Sequence, residues 1–404
     1  MKVTESRGNR GAKPLYNWLE PRKGVWIAST ACLPRSEATS ILTAPMKESA
    51  IKDQATESHE DRSYLARMKR KPGMGCLPKL GIAAGVVIII CIAIYIYCFS
   101  MPGSSFSGVA PTMTAGRIEL RNRLESHVRA LSQTIGPRLK GYTDTLQPAE
   151  DYVAGAFALA GYKVSRQEFS ARGATYRNLV AELPGVGQGG EIIVIGAHYD
   201  STGDTPGADD NASGVAGLIE LARLLRENKL ERTIRFVAFS NEEPPFFMTP
   251  GMGSFVYAKQ CRLANEKVSA MLSLECIGYY SDEGGSQRYP FPLSAIYPDR
   301  GNFLAFVGDL GTRSLVRDCV RYFRERSELP SDGGVLPGSA AGVLWSDHWS
   351  FRQVDYPAIM ATDTAFFRNR AYHTDEDTPD RLDYLRMALA VEGLAEVARR
   401  LAQN

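Results

Sequence analysis

The chain has 404 residues and a formal net charge of +2, with 44% hydrophobic and 23% charged residues. That composition supports one large domain with appendages, or two ordinary ones. It excludes a nucleic-acid binder working through a strong basic excess, and a chain too polar to build a core. The charge is unevenly placed: residues 1–79 carry 15 Lys/Arg against 8 Asp/Glu, and residues 101–404 carry 32 against 37. An uncharged stretch separates the two parts.

Residues 1–79 show no sustained period and are rich in Ser, Thr, Lys, Glu and Pro, so a disordered basic tail is expected. Leu80 to Ser100 (LGIAAGVVIIICIAIYIYCFS) has the length of a bilayer-crossing helix and no polar face. Lys69, Arg70, Lys71 and Lys79 precede it, and Tyr95 and Tyr97 lie near its far end. Basic flanks stay cytoplasmic, so the expectation is one uncleaved span, with the N-terminus inside and the remainder periplasmic, extracellular or lumenal. A cleaved signal peptide fits less well, because the apolar run is long and no A-x-A site follows.

Residues 101–116 (MPGSSFSGVAPTMTAG) read as a linker. From residue 117 to 404 the pattern is one α/β domain with a mixed, mainly parallel central sheet and helices on both faces. Helical spacing marks 117–135 and 148–160. Strands are expected at 176–183 and 191–197, and a helix from Asn211 to Arg226. A strand at 233–240 and a helix from Gly253 to Ala264 follow. Strands at 268–278 and 302–308 precede a helix at 315–326, then come a strand at 356–362 and a closing amphipathic helix at 380–402. Of seven cysteines, Cys261 and Cys319 form a candidate pair if that domain is outside the cytoplasm, while Cys276 reads as packing within a strand.

Chemistry-bearing residues fall at the ends of these strands, where ligands collect in open α/β sheets. EIIVIGA is followed by His198-Tyr199-Asp200, and a helix opens on Asp209-Asp210-Asn211. TIRFVAFS is followed by Asn241-Glu242-Glu243, Glu275 lies near the end of its strand, and His373 follows the last strand. Taken singly, each has an ordinary explanation as a cap, a surface carboxylate or a satisfied polar residue. Jointly, two imidazoles and several carboxylates suit zinc or a similar borderline divalent ion.

The segments GAHYDSTGD, PGADDNASGVAGLIELA, FVAFSNEE, LSLECIGYY and YHTDEDTPDRLDY resemble, in this order, the signature of metallopeptidase family twenty-eight. That family contains co-catalytic dizinc aminopeptidases with glutamate carboxypeptidase and transferrin-receptor relatives. The resemblance implies two Zn²⁺ per chain. It implies that Asp209 bridges them, that His198 and Glu275 complete one ion's ligands, and that Glu243 and His373 complete the other's. Glu242 would be the general base, Asp200 would orient the His198 ring, and the Asp209–Asp210 peptide would be cis. The reaction implied is hydrolysis of a peptide bond, most simply that of an N-terminal residue.

Other readings compete within the same fold. A carboxypeptidase or dipeptidase would need a cation for a terminal carboxylate, for which Arg288, Arg368 and Arg370 are candidates. An inactive binding ectodomain would be expected to lack ligands, and a glutaminyl cyclase-like transferase would use one zinc. Ser346-Asp347-His348 lacks the G-x-S-x-G context of a hydrolase nucleophile and reads as supporting structure. No Tyr stands at 341–345 to assist an oxyanion, as some members of the family place one. Aromatic residues at 246–247, Tyr289, Phe291 and 366–367 either line a side-chain pocket or pack against neighbouring loops. Nucleic acid is not an expected partner, and oligomeric state is not legible.

Overall fold

The computed structural model describes residues 76–108, 111–138 and 143–403. The tail expected at 1–79 lies almost wholly outside them. The apolar stretch forms helix α1 (Cys76–Phe99). Within it, Leu80–Phe99 is long and apolar enough to cross a membrane and is almost entirely unburied by protein. Its C-terminal end is bonded to the following domain. The Arg313 guanidinium lies over the Tyr97 ring at 4.8 Å and donates to the Tyr97 carbonyl at 2.7 Å. Phe99 meets the ring of Tyr297 edge-on at 5.8 Å. The linker also lies against the domain, with Arg324 donating to the carbonyls of Pro102 and Gly103, each at 2.9 Å.

The domain opens with helices α2 (Ala115–Arg129), continued to Ile135 by a wider turn, and α3 (Thr143–Leu159). The strands are β1 (Val164–Ala171), β2 (Ala174–Leu183), β3 (Glu191–His198), β4 (Thr233–Phe239), β5 (Lys267–Glu275), β6 (Leu304–Asp309), β7 (Ser331–Leu336) and β8 (Ala358–Thr362). The remaining helices are α4 (Gly214–Leu225), α5 (Gly253–Leu263), α6 (Arg313–Arg326), α7 (His348–Arg352) and α8 (Tyr384–Gln403). One eight-stranded sheet has the order β1-β2-β4-β3-β5-β8-β6-β7. Its middle, β4-β3-β5-β8, is parallel, and antiparallel pairings occur at β1–β2, β2–β4 and β6–β8. Parallel strands joined by helical crossovers must bury both faces, so they carry apolar residues at every position rather than at alternate ones.

The two-period of a strand divides that apolar content between two cores. Ile193, Ile195 and Ala197 of β3, with Ile234, Phe236 and Ala238 of β4, join the large core beneath α2, α4, α6 and α8. Ile192, Val194, Val237 and Phe239 face the other way, onto Tyr257 and Cys261 of α5 and Phe351 of α7. Each fully buried Leu, Ile or Phe contributes about 1.5–3 kcal/mol relative to an exposed one.

This division corrects the cysteine expectation. Cys261 sits in the smaller core and Cys319 in the larger, and both are free. Two strands, β1 and β7, were not anticipated, and they are the two edges of the sheet. β1 (VSRQEFSA) is half solvated and β7 (SDGGVL) contains two glycines, so neither carries the apolar run that marks a central strand.

Candidate functional site

Four adjacent parallel strands deliver the chemistry-bearing side chains to one edge of the sheet. His198 ends β3, Glu275 ends β5, Glu242 and Glu243 follow β4, and His373 follows β8. The backbone there is unusual. Asn241, Cys276, Thr364 and His373 have φ of +60°, +49°, +75° and +61°. Each non-glycine residue so placed costs roughly 1–3 kcal/mol, and such residues cluster where a site demands their geometry.

Two groups of donor atoms share one residue. His198, Asp210 and Glu275 form the first, and Asp210, Glu243 and His373 the second. His198 Nε2 lies 3.3 Å from Asp210 Oδ1 and 3.3 Å from Glu275 Oε2. His373 Nε2 lies 2.9 Å from Asp210 Oδ2 and 3.5 Å from Glu243 Oε1. The two oxygens of the Asp210 carboxylate thus face different imidazoles. His198 Nε2 and Glu243 Oε1 are buried without any hydrogen-bond partner. Buried polar atoms are nearly always satisfied, so orphaned donors converging on a point mark a place for a cation. The donor residues suit a divalent metal ion such as zinc. Burial alone would raise the Asp210 carboxyl, but His198 and His373 outweigh it and hold it well below the usual range.

Asp209, the bridge expected from the sequence, belongs to neither group. Its Oδ1 accepts from the Gly278 amide at 3.1 Å and its Oδ2 from Asn369 Nδ2 at 3.0 Å. Burial, with Asp363 and Asp377 nearby, raises its carboxyl well above the ordinary value. Successive side chains point in different directions from a turn, so only one of two adjacent aspartates can face the imidazoles. The cis peptide lies one residue later than expected, between Asp210 and Asn211.

The surrounding groups hold this turn. Asp377 accepts from the amides of Asp209 and Asp210 at 2.9 and 3.1 Å. Asn211 Nδ2 donates to the Leu274 carbonyl, and Asn211 Oδ1 accepts from the Cys276 amide, so the turn is stitched to β5. Gly207 has φ of +60°, and a Cβ there would lie 2.4 Å from the Asp210 carbonyl oxygen. Arg138 is fully buried and donates to the carbonyls of Tyr199, Leu131, Gly136, Pro206 and Gly207 at 2.7–3.2 Å. Burial pushes its pKa down to about 10, with Asp377, Asp200 and Asp210 opposing that shift.

Asp200 ties two strand ends together. Its carboxylate accepts from the amides of Glu242 and Glu243 at 3.1 and 3.2 Å. His198 Nδ1 lies 3.2 Å from the Asp200 carbonyl and 3.5 Å from its Oδ1. Glu242 Oε2 is 4.0 Å from His198 Nε2, beside the first donor group but a member of neither.

Ser346-Asp347-His348 is supporting structure. Ser346 Oγ donates to Glu275 Oε2 at 2.7 Å and pairs with Ser273 Oγ at 2.8 Å. His348 Nε2 lies 2.8 Å from the Val343 carbonyl, and burial lowers its pKa to about 4, so it stays neutral. Of the arginines considered for a terminal carboxylate, Arg368 is buried and donates to Gln287, Tyr279 and Phe303, whereas Arg288 and Arg370 are exposed.

Beside the site an apolar cavity is lined by Glu275, Tyr289, Trp345, Phe366, Phe367 and Tyr372 among others. Trp345 stacks on Phe366 with centroids 5.2 Å apart, and Tyr372 stacks on His373 at 3.9 Å. Tyr289 and 366–367 are therefore pocket residues, while Phe246 packs into the core against Tyr176.

Comparison with known proteins places the chain in a family. The model of peptidase family M28 matches residues 178–398. The YfbL protein of Escherichia coli (strain K12) is 43% identical over 281 residues, covering 67% of this chain and 85% of that protein. A probable leucine aminopeptidase 1 of Trichophyton verrucosum (strain HKI 0517) is 27% identical, and the match covers 51% of this chain and 53% of the relative. A zinc aminopeptidase of Bacillus subtilis has the same fold, with TM-score 0.55 and 16% identity over 70% of this chain and 95% of that one. With the family model spanning more than half of its length, the chain belongs to peptidase family M28, a family of zinc-dependent metallopeptidases.

Proposed function

We propose that this protein is a membrane-anchored aminopeptidase holding two zinc ions, with Asp210 as the shared ligand. The observation carrying this reading is that the two Asp210 oxygens face two different sets of donors, His198 with Glu275 and His373 with Glu243. Zinc bound there supplies the Lewis acidity that activates water and polarises a scissile carbonyl.

The chain's own residues do the rest. Glu242, held through its amide by Asp200 and placed beside His198, accepts the proton of the attacking water at its carboxylate. It then returns that proton to the leaving amine nitrogen as the C–N bond breaks. Asp200 keeps the strand ends carrying His198 and Glu242 in register. The apolar cavity beside Glu275 receives a substrate side chain and excludes water from it.

Helix α1 anchors the protein as a single span, its tail cytoplasmic and its peptidase domain on the opposite side. The exposed apolar surface of Leu80–Phe99 and the preceding basic residues support this placement.

In the full-length protein purified in detergent, elemental analysis is expected to find two zinc ions per chain, with release of N-terminal residues from aminoacyl-anilides. A chelator should abolish that release and added zinc restore it. Cleavage restricted to N-blocked peptides with free C-termini would replace this reading with a carboxypeptidase, for which Arg288 and Arg370 are the exposed cations. Metal-free, inert protein would replace it with a binding ectodomain.

Ser346→Ala removes the hydroxyl that orients Glu275. Loss of such a supporting bond weakens metal affinity by about 10–100-fold. Zinc-buffered titration is expected to show that loss with melting temperature little changed. Unaltered affinity would remove Ser346 from the site.

A further inference from the structure

The floor of the cavity is a single row across the sheet. Glu275 of β5 pairs with Thr362 of β8, Thr362 with Ala305 of β6, and Ala305 with Asp332 of β7. Side chains at paired positions point to the same face of a sheet, and all four of these residues line the cavity. With strands about 4.8 Å apart, Asp332 lies roughly 14 Å from Glu275 across two small residues. The row therefore begins at the catalytic centre and ends on a carboxylate.

That carboxylate has only a long ion pair for a counter-charge. Among the described residues its ion-pair partner, Arg324 Nη2, is 3.9 Å from Asp332 Oδ1, beyond hydrogen-bond distance. The Arg324 guanidinium is occupied by Ser331 Oγ and by the carbonyls of Ser331, Pro102 and Gly103. Burial raises the Asp332 carboxyl above its ordinary value, and Arg324 and a hydrogen bond from the Gly333 amide offset only part of that. The Asp332 side chain retains 28% exposure. The hydroxyls of Tyr289 and Tyr297, both cavity residues, are pushed up by burial; Asp332 adds to that at both, while the buried Arg368 opposes it at Tyr289. Gly334 belongs to the same wall: a Cβ there would lie 2.5 Å from the Tyr297 hydroxyl, so glycine lets that ring close over the far end.

We propose that Asp332 is a specificity-determining residue, making the cavity a subsite for a long cationic side chain, lysine or arginine, at the N-terminal position of the substrate. This rests on the aminopeptidase reading. Aromatic walls of Tyr289, Trp345, Phe366 and Phe367 suit the aliphatic stem and attract the charged head on its way in. Asp332 receives that head at the end of the row. A neutral side chain of the same length would fill the walls and further desolvate the half-buried Asp332 carboxylate without giving it a charged partner closer than Arg324, which a polar site discriminates against.

The test compares kcat/KM of the full-length zinc-loaded protein on lysyl-, arginyl-, norleucyl- and phenylalanyl-anilides. Lysyl should exceed norleucyl, its neutral counterpart in length, by at least about 30-fold, the scale of a lost partner to a buried charge. Asp332→Asn should remove most of that preference through KM while phenylalanyl turnover persists, and persisting turnover reports an intact fold. Norleucyl cleaved as well as lysyl by the unmodified protein overturns the proposal without reference to any variant. So does an unchanged lysyl-to-norleucyl ratio in Asp332→Asn. In both cases release of some N-terminal residue leaves the aminopeptidase reading standing. No hydrolysis of any of the four anilides overturns the aminopeptidase reading and this subsite with it.

Discussion

Asp210→Asn is expected to lose bound zinc and to fall in kcat/KM by well over the ~100-fold that marks loss of a supporting bond. Asp209→Asn, one residue away, is expected to stay within about 10–100-fold of the unmodified protein and to keep its metal. The contrast follows from where the two carboxylates point. Asp210 presents Oδ1 to His198 and Oδ2 to His373, so an amide there removes the negative charge from both donor groups and the acceptor oxygen from one of them. Asp209 accepts from Gly278 and Asn369 and supports the turn from behind. Zinc content by elemental analysis and anilide turnover on the same samples decide the matter. Equal loss in both variants, or a greater loss in Asp209→Asn, would show that the shared ligand had been assigned to the wrong aspartate.

Glu242→Gln is expected to keep both zinc ions and lose turnover by about 10²–10⁴-fold, the range of a general acid–base contribution. That corresponds to roughly 3–5 kcal/mol of transition-state stabilisation. Glutamine has the same shape as glutamate, and the Glu242 amide still bonds to Asp200, so the chain around the site has no reason to move. What disappears is the carboxylate that takes a proton from water and returns it to the leaving amine. The loss should appear in kcat, with KM nearly constant, because substrate contacts are retained. Turnover near the unmodified level would exclude Glu242 as the base. Loss of zinc together with activity would instead make it a ligand.

The central strands and most helices were legible because their signal is local. EIIVIGA, TIRFVAF and VSAMLSLE are predominantly apolar without strict alternation, as strands buried on both faces tend to be, and their ends coincide with the observed ends within a few residues. The edge strands β1 and β7 were not legible. One is polar and the other carries two glycines, and each is a strand because a neighbour offers hydrogen bonds, not because its own side chains demand it. The short helix α7 was missed for a related reason, since five residues carry no periodicity.

The sequence by itself determined which residue types stand at which strand ends, and hence a site of two imidazoles and several carboxylates on an α/β sheet. It also determined the apolar stretch before the domain, whose length and lack of charge are local properties. Tertiary structure alone decided which of two adjacent aspartates faces both imidazoles, because side-chain direction in a turn depends on backbone angles set by Arg138, Asp377 and β5. It alone placed Ser346 against Glu275, 71 residues apart. It alone put Asp332 at the end of a row that starts at Glu275, since strand order and register are fixed by packing between distant segments.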